Sequence, residues 1–350
     1  ARRRVARCAS PPDVDHGTRP GGVLCHATAA ARPTDPTQRV VLSEARPAGR
    51  GAGIDMSSPG DTLAAIDVGT NTTRLLVARV DGGAMTPLAR GSSMTALGAG
   101  LERDGAIPPD ALDLVAQVTA AMAAEARDLG AARLAVACTA VARDATNRDE
   151  LLARLEEATG VPPRVVSGDE EAELTFRGLV AAGAPDPLLA CDLGGGSLEI
   201  MAGAGGRLAW STSLPVGTRR ITDRFRLSDP PPLDVADAMV AAAAAQVEPV
   251  ARDVTARGGV AAGGSAVALA ALAGTHRLDR AALLGAIERI AGAPAARVAD
   301  DTGLSPERVR LSFAGAAVLE AVRRSFGLDE LVVSEAGLRE GLLLEMAAGR

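Results

Sequence analysis

The sequence contains no tyrosine and no lysine, and aromatic residues make up only 1% of its 350 positions. Every one of the 37 basic residues is therefore an arginine, a bias typical of a GC-rich genome that indicates no function. No apolar run approaches the about 20 residues that a membrane-spanning helix requires, so no membrane partner is expected. The four cysteines, at positions 8, 25, 138 and 191, lack CxxC spacing. A reduced, cytoplasmic protein is the expectation from that cysteine usage.

Residues 1–57 are predicted to be a disordered leader. They are rich in proline, glycine, alanine and arginine and show no helical or alternating period. Residues 1–55 carry nine arginines and five acids, and the rest of the chain then has a net charge of −10. The acids and the many prolines and glycines argue against a transit peptide. Because the first methionine is Met56, a start codon assigned too far upstream, or an appended leader, explains the segment better than an anion-binding arm.

One stretch, Asp192-Leu-Gly-Gly-Gly-Ser-Leu-Glu199, follows the apolar run Leu188–Cys191. The pattern predicts a buried strand that ends in an acid, a glycine turn and a second strand. Three glycines exceed what a two-residue turn requires, and their backbone N–H groups can close around an anion. An acid beside an anion indicates a divalent cation between them, so phosphate and Mg²⁺ are expected. An ordinary glycine-rich hairpin remains the alternative for this loop taken alone.

The same pattern occurs 125 residues upstream, where the apolar strand Leu63–Asp67 precedes Gly69-Thr70-Asn71-Thr72. Gly263-Gly264-Ser265 forms a third junction between a strand and a helix, whose N-terminus favours anions. Strands and helices alternate along the rest of the chain, which indicates an α/β protein. The repeat predicts a duplicated fold in which Asp67 and Asp192 face each other across a ligand.

The two loops resemble the paired phosphate-binding loops of the actin, chaperone-ATPase and sugar-kinase superfamily. Their residues, and those between them, resemble one branch of it, the exopolyphosphatase and guanosine pentaphosphate phosphatase family. The resemblance implies two ribonuclease-H-like (actin-like ATPase) domains facing each other across a cleft. They would span residues 58–183 and 187–350, with the last helix packing back on the first domain.

Residues 167–172 match the family's Ser-Gly-x-Glu-Glu-Ala stretch, so the resemblance implies that Glu171 orients or deprotonates the attacking water. Without it, an acidic first turn placed against the helix dipole explains the same residues. Arg143 matches the family's Thr-x-x-x-Arg stretch and is predicted to be catalytic through the substrate phosphate, with a surface arginine as the alternative. The predicted phosphate-binding residues are Gly69, Thr70, Asn71, Thr72, Gly194, Gly195, Gly196, Ser197, Arg220, Gly264 and Ser265. The predicted Mg²⁺ ligands are Asp67, Asp192 and Glu199, and a solvated face is predicted for Arg219, Arg224 and Arg226.

The predicted function is a phosphohydrolase that releases terminal phosphate from inorganic polyphosphate, from guanosine penta- or tetraphosphate, or from both. Leu198 and Val267 depart from the family's pattern and leave the substrate open. A net charge of −10 should repel long polyanions, which favours short substrates. The alternatives are an actin-like ATPase or small-molecule kinase, and a non-catalytic regulator that binds the alarmone or polyphosphate. No nucleic-acid partner is expected, and a homodimer is left open.

Overall fold

The computed structural model describes residues 40–41, 60–251, 254–255 and 259–349. The predicted leader therefore lies outside the described residues, except for the two-residue strand β1 (Val40–Val41). This strand pairs in parallel with Val254–Thr255. At these two positions the structure departs from the predicted absence of regular structure.

The first half of the chain forms a five-stranded sheet. Its strands are β2 (Asp61–Val68), β3 (Thr72–Asp81), β4 (Ala84–Met94), β5 (Arg133–Cys138) and β6 (Arg164–Val165). They lie in the order β4-β3-β2-β5-β6, with β2, β3 and β4 antiparallel and with β5 and β6 parallel to β2. The helices of this half are α1 (Leu101–Asp104), α2 (Pro109–Asp128), α3 (Ala140–Asp144), α4 (Arg148–Thr159) and α5 (Gly168–Ala181).

The second half forms a six-stranded sheet. Its strands are β7 (Leu188–Leu193), β8 (Leu198–Ala204), β9 (Arg207–Leu214), β11 (Gly259–Ala262), β12 (Arg277–Asp279) and β13 (Glu330–Val333), and β10 (Val254–Thr255) pairs with β1. The helices are α6 (Thr218–Phe225), α7 (Val235–Ala251), α8 (Gly263–Ala273), α9 (Arg280–Ala291), α10 (Ala295–Thr302), α11 (Pro306–Ser325) and α12 (Leu338–Ala347). Within the described ranges, no helix has the length and apolar character needed to cross a membrane.

The two sheets share one plan. In the second sheet, β9-β8-β7 form the antiparallel part, and β11 and β13 continue in parallel, as β5 and β6 do in the first. β12 adds an antiparallel edge strand. The hairpin turns agree as well, because the Gly69 N–H donates to the Thr72 carbonyl at 3.1 Å and the Gly194 N–H to the Ser197 carbonyl at 3.0 Å. The predicted duplicated α/β architecture is confirmed.

Each half contributes one helix to the core of the other. Helix α5, from the first half, packs Ala172, Phe176 and Leu179 against the second sheet. Helix α12, from the second half, packs Leu338, Leu342 and Leu343 against the first sheet. The two exchanged helices also contact each other closely. This crossing ties the two sheets together and fixes the cleft between them.

Two glycines make that crossing tight. A Cβ atom on Gly178 would overlap the Gly337 carbonyl oxygen, and a Cβ atom on Gly341 would overlap the Leu174 carbonyl oxygen. Gly341→Ala should therefore destabilise the protein by about 1–3 kcal/mol, despite the better helix propensity of alanine. Thermal unfolding measures the change. Gly285→Ala in α9 is the matched control, because nothing lies within 4 Å of the added atom. Gly285→Ala should stabilise the protein slightly. If both variants changed the stability equally, the close packing of α12 against α5 at Gly341 would be contradicted.

Several element boundaries differ from the sequence predictions. The sequence predicts a helix near 312–326. The structure begins α11 earlier, at Pro306, where the Ser305 hydroxyl accepts a hydrogen bond from the Arg308 N–H and caps the helix. The sequence also predicts a helix over about 234–257. The structure describes α7 as Val235–Ala251 and places Val254–Thr255 in strand β10 instead.

Candidate active site

The two hairpin loops and the turn that begins α8 line one cavity between the sheets. Asp67 and Asp192, each close to the carboxyl end of a central strand, both face it. Glu171 lies in its wall. The predicted phosphate-binding residues that also line it are Gly69, Thr70, Asn71, Thr72, Gly194, Gly195, Gly196, Ser197, Gly264 and Ser265. Most of the residues predicted from three separate stretches of sequence are thus brought together.

The hairpin loops touch each other across the cleft. A Cβ atom on Gly195 would overlap the Asn71 side chain, so glycine is required there for the close approach. The Asn71 Oδ1 atom also accepts a hydrogen bond from Arg219 Nε at 2.9 Å. Its side chain is therefore engaged in bridging the two halves, while the residue still lines the cavity. The prediction that Arg219 belongs to a solvated face is wrong, because it bonds Asn71 and pairs with Glu307.

Burial dominates the electrostatics of the two aspartates. Loss of hydration raises the pKa of Asp67, and its Oδ1 atom is buried without a hydrogen-bond partner. The same effect raises the pKa of Asp192 to about 6, although Arg74 acts in the opposite direction. A buried carboxylate oxygen with no partner is energetically costly, so a cation at this place would stabilise it.

The cavity fits Mg²⁺ on these grounds. Mg²⁺ prefers oxygen ligands, keeps several waters, and is usually held by one or two carboxylates together with substrate phosphates. Asp67 and Asp192 supply the two carboxylates. No group of three or more acidic, histidine or cysteine side chains in the described part of the chain is arranged to hold a metal ion. The predicted trio that includes Glu199 is therefore not assembled as a protein-only metal site.

Glu199 lies beneath the cavity, in a cluster with Glu171 and Arg143. It is 1% exposed, and one of its carboxylate oxygens accepts a hydrogen bond from Ser213 at 2.7 Å. Burial raises the pKa of Glu199 to about 7, with Asp192 as a second cause. Burial also raises the pKa of Glu171 well above its usual range, and the nearby Glu199 adds to the effect. Glu199 was predicted to bind Mg²⁺. In the structure it is instead a buried neighbour of Glu171.

Arg143 holds the two glutamates together. Its guanidinium donates to Glu171 Oε2 and to the Val166 carbonyl, both at 2.8 Å, and lies 4.0 Å from Glu199. It does not line the cavity in this structure. The contact that the structure shows for Arg143 is thus with Glu171, which it orients, and its contact with substrate phosphate stays a prediction. Sequence spacing could not reveal this, because Arg143 and Glu171 are 28 residues apart.

Arg220 also supports the site from behind. It donates to the Gly196 carbonyl at 3.1 Å and to Asp144 at 2.7 Å. Arg220 is thus adjacent to the second glycine loop but is not among the residues that line the cavity. These bonds brace the loop and link it to α3, and the contact of Arg220 with phosphate stays a prediction.

Three arginines that the sequence analysis did not identify line the cavity: Arg74, Arg308 and Arg339. In the described part of the chain none of them is ion-paired with a carboxylate. Arg308 donates to the Thr72 hydroxyl, and Arg339 donates to the Leu75 and Glu335 carbonyls. Burial lowers the pKa of Arg308 to about 10, with nearby Arg74 as a second cause. Three close arginines that form no ion pair are suited to bind a polyanion, although Arg74 and Arg339 also act electrostatically on Asp67 and Asp192.

The position of one of these three arginines, Arg74, could have been inferred from the sequence. Arg74 lies directly opposite Asp67 in the β2–β3 hairpin, so it belongs on the same face of the sheet. Arg308 and Arg339 lie in the first turns of α11 and α12, far along the chain, and no local pattern points to them.

Arg308→Ala should raise KM for a phosphorylated substrate by about 10- to 100-fold, because a charge-assisted contact is worth roughly 1.5–3 kcal/mol. Steady-state kinetics of phosphate release measures the change. Arg310→Ala is the matched control: Arg310 lies on the same helix but is half exposed and pairs with Asp229 outside the cavity. Equal KM values for the two variants would show that Arg308 does not bind the substrate.

Two sheets of one plan that present paired glycine hairpins, buried aspartates and arginines to one cavity define the fold class as ribonuclease-H-like (actin-like ATPase). The model of the Ppx/GppA phosphatase family matches residues 76–349, and the chain belongs to that family. It is accordingly a hydrolase that acts on phosphoanhydride bonds. The predicted fold class, family and enzyme class are confirmed.

Individual relatives agree. Exopolyphosphatase 2 of Mycobacterium tuberculosis is 34% identical over 323 residues, a match that covers 81% of this chain and 98% of the relative. The crystal structure of an exopolyphosphatase-like protein is 28% identical with a TM-score of 0.74, covering 83% of this chain and 98% of the other. An exopolyphosphatase from Cytophaga hutchinsonii shares the fold, with 23% identity, a TM-score of 0.75 and the same coverage of both chains.

Proposed function

We propose that the protein releases the terminal phosphate of inorganic polyphosphate by hydrolysis. The observation that carries the proposal is the combination of the buried aspartates and the three unpaired arginines around one cavity, with Glu171 in its wall. The name of the Mycobacterium tuberculosis relative supports polyphosphate as the substrate class.

In the proposed reaction the two glycine loops surround the terminal phosphate. Glycine leaves their backbone N–H groups accessible to its oxygens. Glu171, held by Arg143, orients the attacking water and accepts its proton. Mg²⁺ held by Asp67 and Asp192 would neutralise charge on the phosphate oxygens when bound. The carboxylate of Glu171 needs its negative charge for this role, so the enzyme works above the raised pKa of that group.

The arginines account for how an acidic protein holds a polyanion. The chain as a whole carries a net charge of −6, which opposes the approach of polyphosphate. Arg74, Arg308 and Arg339 place positive charge inside the cleft, where low dielectric strengthens each contact. They are suited to hold the bridging and leaving phosphates while Glu171 acts on the terminal one.

A second candidate substrate is guanosine pentaphosphate. A further pocket shares Arg74, Arg308 and Arg339 with the cavity and adds apolar surface from Met94, Val267 and Leu304. Apolar surface next to arginines suits a nucleoside joined to a phosphate chain. This candidate is less favoured, because the named relative is an exopolyphosphatase.

A phosphate-release assay distinguishes these candidates. Purified protein with Mg²⁺ is given tripolyphosphate, long polyphosphate, guanosine pentaphosphate and ATP at equal concentrations of terminal phosphate. The proposal expects the highest kcat/KM with a polyphosphate. Turnover of guanosine pentaphosphate alone would select the second candidate, turnover of ATP alone would revive the ATPase alternative, and binding without turnover would favour the regulator. Cytoplasmic location and a homodimer stay predictions.

A further inference from the structure

Arg219 lies in the first turn of α6 and is not among the residues that line the catalytic cavity. Its side chain is only 14% exposed. The Nε atom donates to Asn71 Oδ1 at 2.9 Å, and the Nη2 atom pairs with Glu307 at the start of α11. The guanidinium is therefore fixed on two sides, by a loop of the first half and by a helix of the second.

The bond from Arg219 decides which way the Asn71 amide faces. Arginine carries only hydrogen-bond donors, so the atom that meets its Nε must be the amide oxygen. The Nδ2 atom of Asn71 is then turned to the other side, where it packs so closely on Gly195 that a Cβ atom there would overlap it. Among the described residues no protein acceptor takes a hydrogen bond from Nδ2, although Asn71 lines the cavity. Its two N–H bonds are thus available to a ligand.

The same turn of α6 orders the second glycine loop. The backbone N–H of Thr218 donates to the Gly194 carbonyl at 3.0 Å. The N–H of Arg219 donates to the Gly195 carbonyl at 2.9 Å. Across a trans peptide bond the N–H points opposite to the carbonyl, so the N–H groups of Gly195 and Gly196 point away from α6. Arg219 thus holds the second loop through its backbone and the first loop through its side chain.

We infer that Arg219 is a positioning residue, which holds the Asn71 amide as an N–H donor to the terminal phosphate of the substrate. This inference rests on the proposed function and deepens it, because it assigns the orientation of a donor in the phosphate site. Without Arg219 the amide can turn over and present its oxygen, which the phosphate oxygens repel. With Arg219 in place the donor is aimed before the substrate arrives, so the reaction carries no cost of reorienting it.

The test is a double-mutant cycle on kcat/KM for phosphate release from tripolyphosphate. Asn71→Ala should lower kcat/KM by about 10- to 100-fold, as expected for loss of a hydrogen bond to a charged group. Arg219→Met keeps an unbranched side chain without its donors, and it should lower kcat/KM by about three- to tenfold, because the amide remains but loses its fixed orientation. In the Asn71→Ala background, Arg219→Met should have no further effect on kcat/KM.

Two further variants separate this role from a purely structural one. Asn71→Asp keeps an oxygen for Arg219 but has no N–H to donate, so it should lose at least as much kcat/KM as Asn71→Ala. Arg224→Ala is the matched control, because it removes an exposed arginine of the same helix that does not line the cavity. The control should leave kcat/KM at the wild-type value. Thermal unfolding of every variant checks that each is folded at the assay temperature.

Equal losses of kcat/KM on Arg219→Met in both backgrounds would overturn the inference, because the arginine would then act without Asn71. Wild-type kcat/KM in Asn71→Asp would also overturn it, since the amide would then donate nothing to the phosphate. Both results require an active wild type, so they leave the proposed function standing. If the wild type releases no phosphate from tripolyphosphate or from long polyphosphate, the proposed function fails, and the inference that rests on it fails too.

Discussion

Glu171→Gln should lower kcat for phosphate release by about 10²–10⁴-fold, the range typical of losing a general base. Glutamine keeps the size of the side chain and can still accept a hydrogen bond from Arg143. It lacks the negative charge that polarises the water and cannot take its proton. Substrate affinity should hold or increase, because a carboxylate near phosphate oxygens repels them in the ground state. Single-turnover kinetics and direct binding separate the two effects.

Glu170→Gln is the matched control. Glu170 lies on the same first turn of α5, but its side chain is 40% exposed and pairs with Arg164. Its carboxylate also closes the capping box with Ser167, which glutamine can preserve. This variant should keep most of the activity. Equal modest losses in the two variants would show that both glutamates only favour the helix terminus, and the hydrolase would then lack its base.

The wild-type pH profile should show the environment of Glu171. Burial and the neighbouring Glu199 raise its pKa well above the usual range, and Glu171 must be ionised to act as a base. The value of kcat/KM should therefore fall as pH drops through a pKa higher than that of an ordinary glutamate, whose value is about 4.3. Measurement of kcat/KM over the acid range checks this. An acid limb at the ordinary value would contradict the burial argument.

Asp192→Asn should have the second largest effect and should act on activity and stability in opposite directions. As the proposed Mg²⁺ ligand, Asp192 would supply several kcal/mol of charge stabilisation, so turnover should fall by about 10²-fold or more. Metal-free stability should hold or rise, because asparagine removes a buried charge whose hydration was lost on folding. Thermal unfolding with and without Mg²⁺ measures the second effect. Mg²⁺ should raise the melting temperature of the wild type and leave that of the variant unchanged.

The direction of the pH effect follows from the raised pKa of Asp192. Its value rises from 3.8 to about 6, so the folded state holds the proton more firmly than the unfolded state does. Without metal, this group's contribution to stability therefore falls as pH rises between those values. The gain in metal-free stability of Asp192→Asn over the wild type should therefore be greatest above about pH 6. Asp329→Asn, an exposed carboxylate of the same half, serves as control and should show neither effect. A variant that still gains stability from Mg²⁺ would exclude Asp192 as its ligand.

Local patterns were sufficient for the parts of the site that lie within one stretch of chain. The two hairpins could be predicted, because alternating apolar residues, a terminal acid and glycines at the turn all act within a dozen residues. Glu171 could be placed in a helix first turn for the same reason, since Ser167 and Glu170 form a capping box. Its selection over Glu170 rested on family resemblance, and the structure places Glu171 in the cavity wall and Glu170 toward Arg164.

The partners of the arginines could not be predicted in this way. The contact of Arg143 with Glu171 was not predicted, Arg219 was expected in solvent and lies on Asn71, and Arg308 was overlooked. An arginine carries a long side chain that reaches acceptors on any neighbouring element, and its sequence neighbours say little about which one. The three contacts join residues 28, 148 and 236 positions apart.

The sequence by itself determined the duplicated α/β plan, the two acid-tipped loops and the family. These follow from hydrophobic periodicity and glycine placement, which are local properties of the chain. Only the tertiary structure decided which charges meet. The crossing of α5 and α12 sets the closure of the cleft, and that closure brings Arg308 to Thr72 and Arg339 to the Leu75 carbonyl. Electrostatic contacts depend on distance in space, whereas the sequence records only distance along the chain.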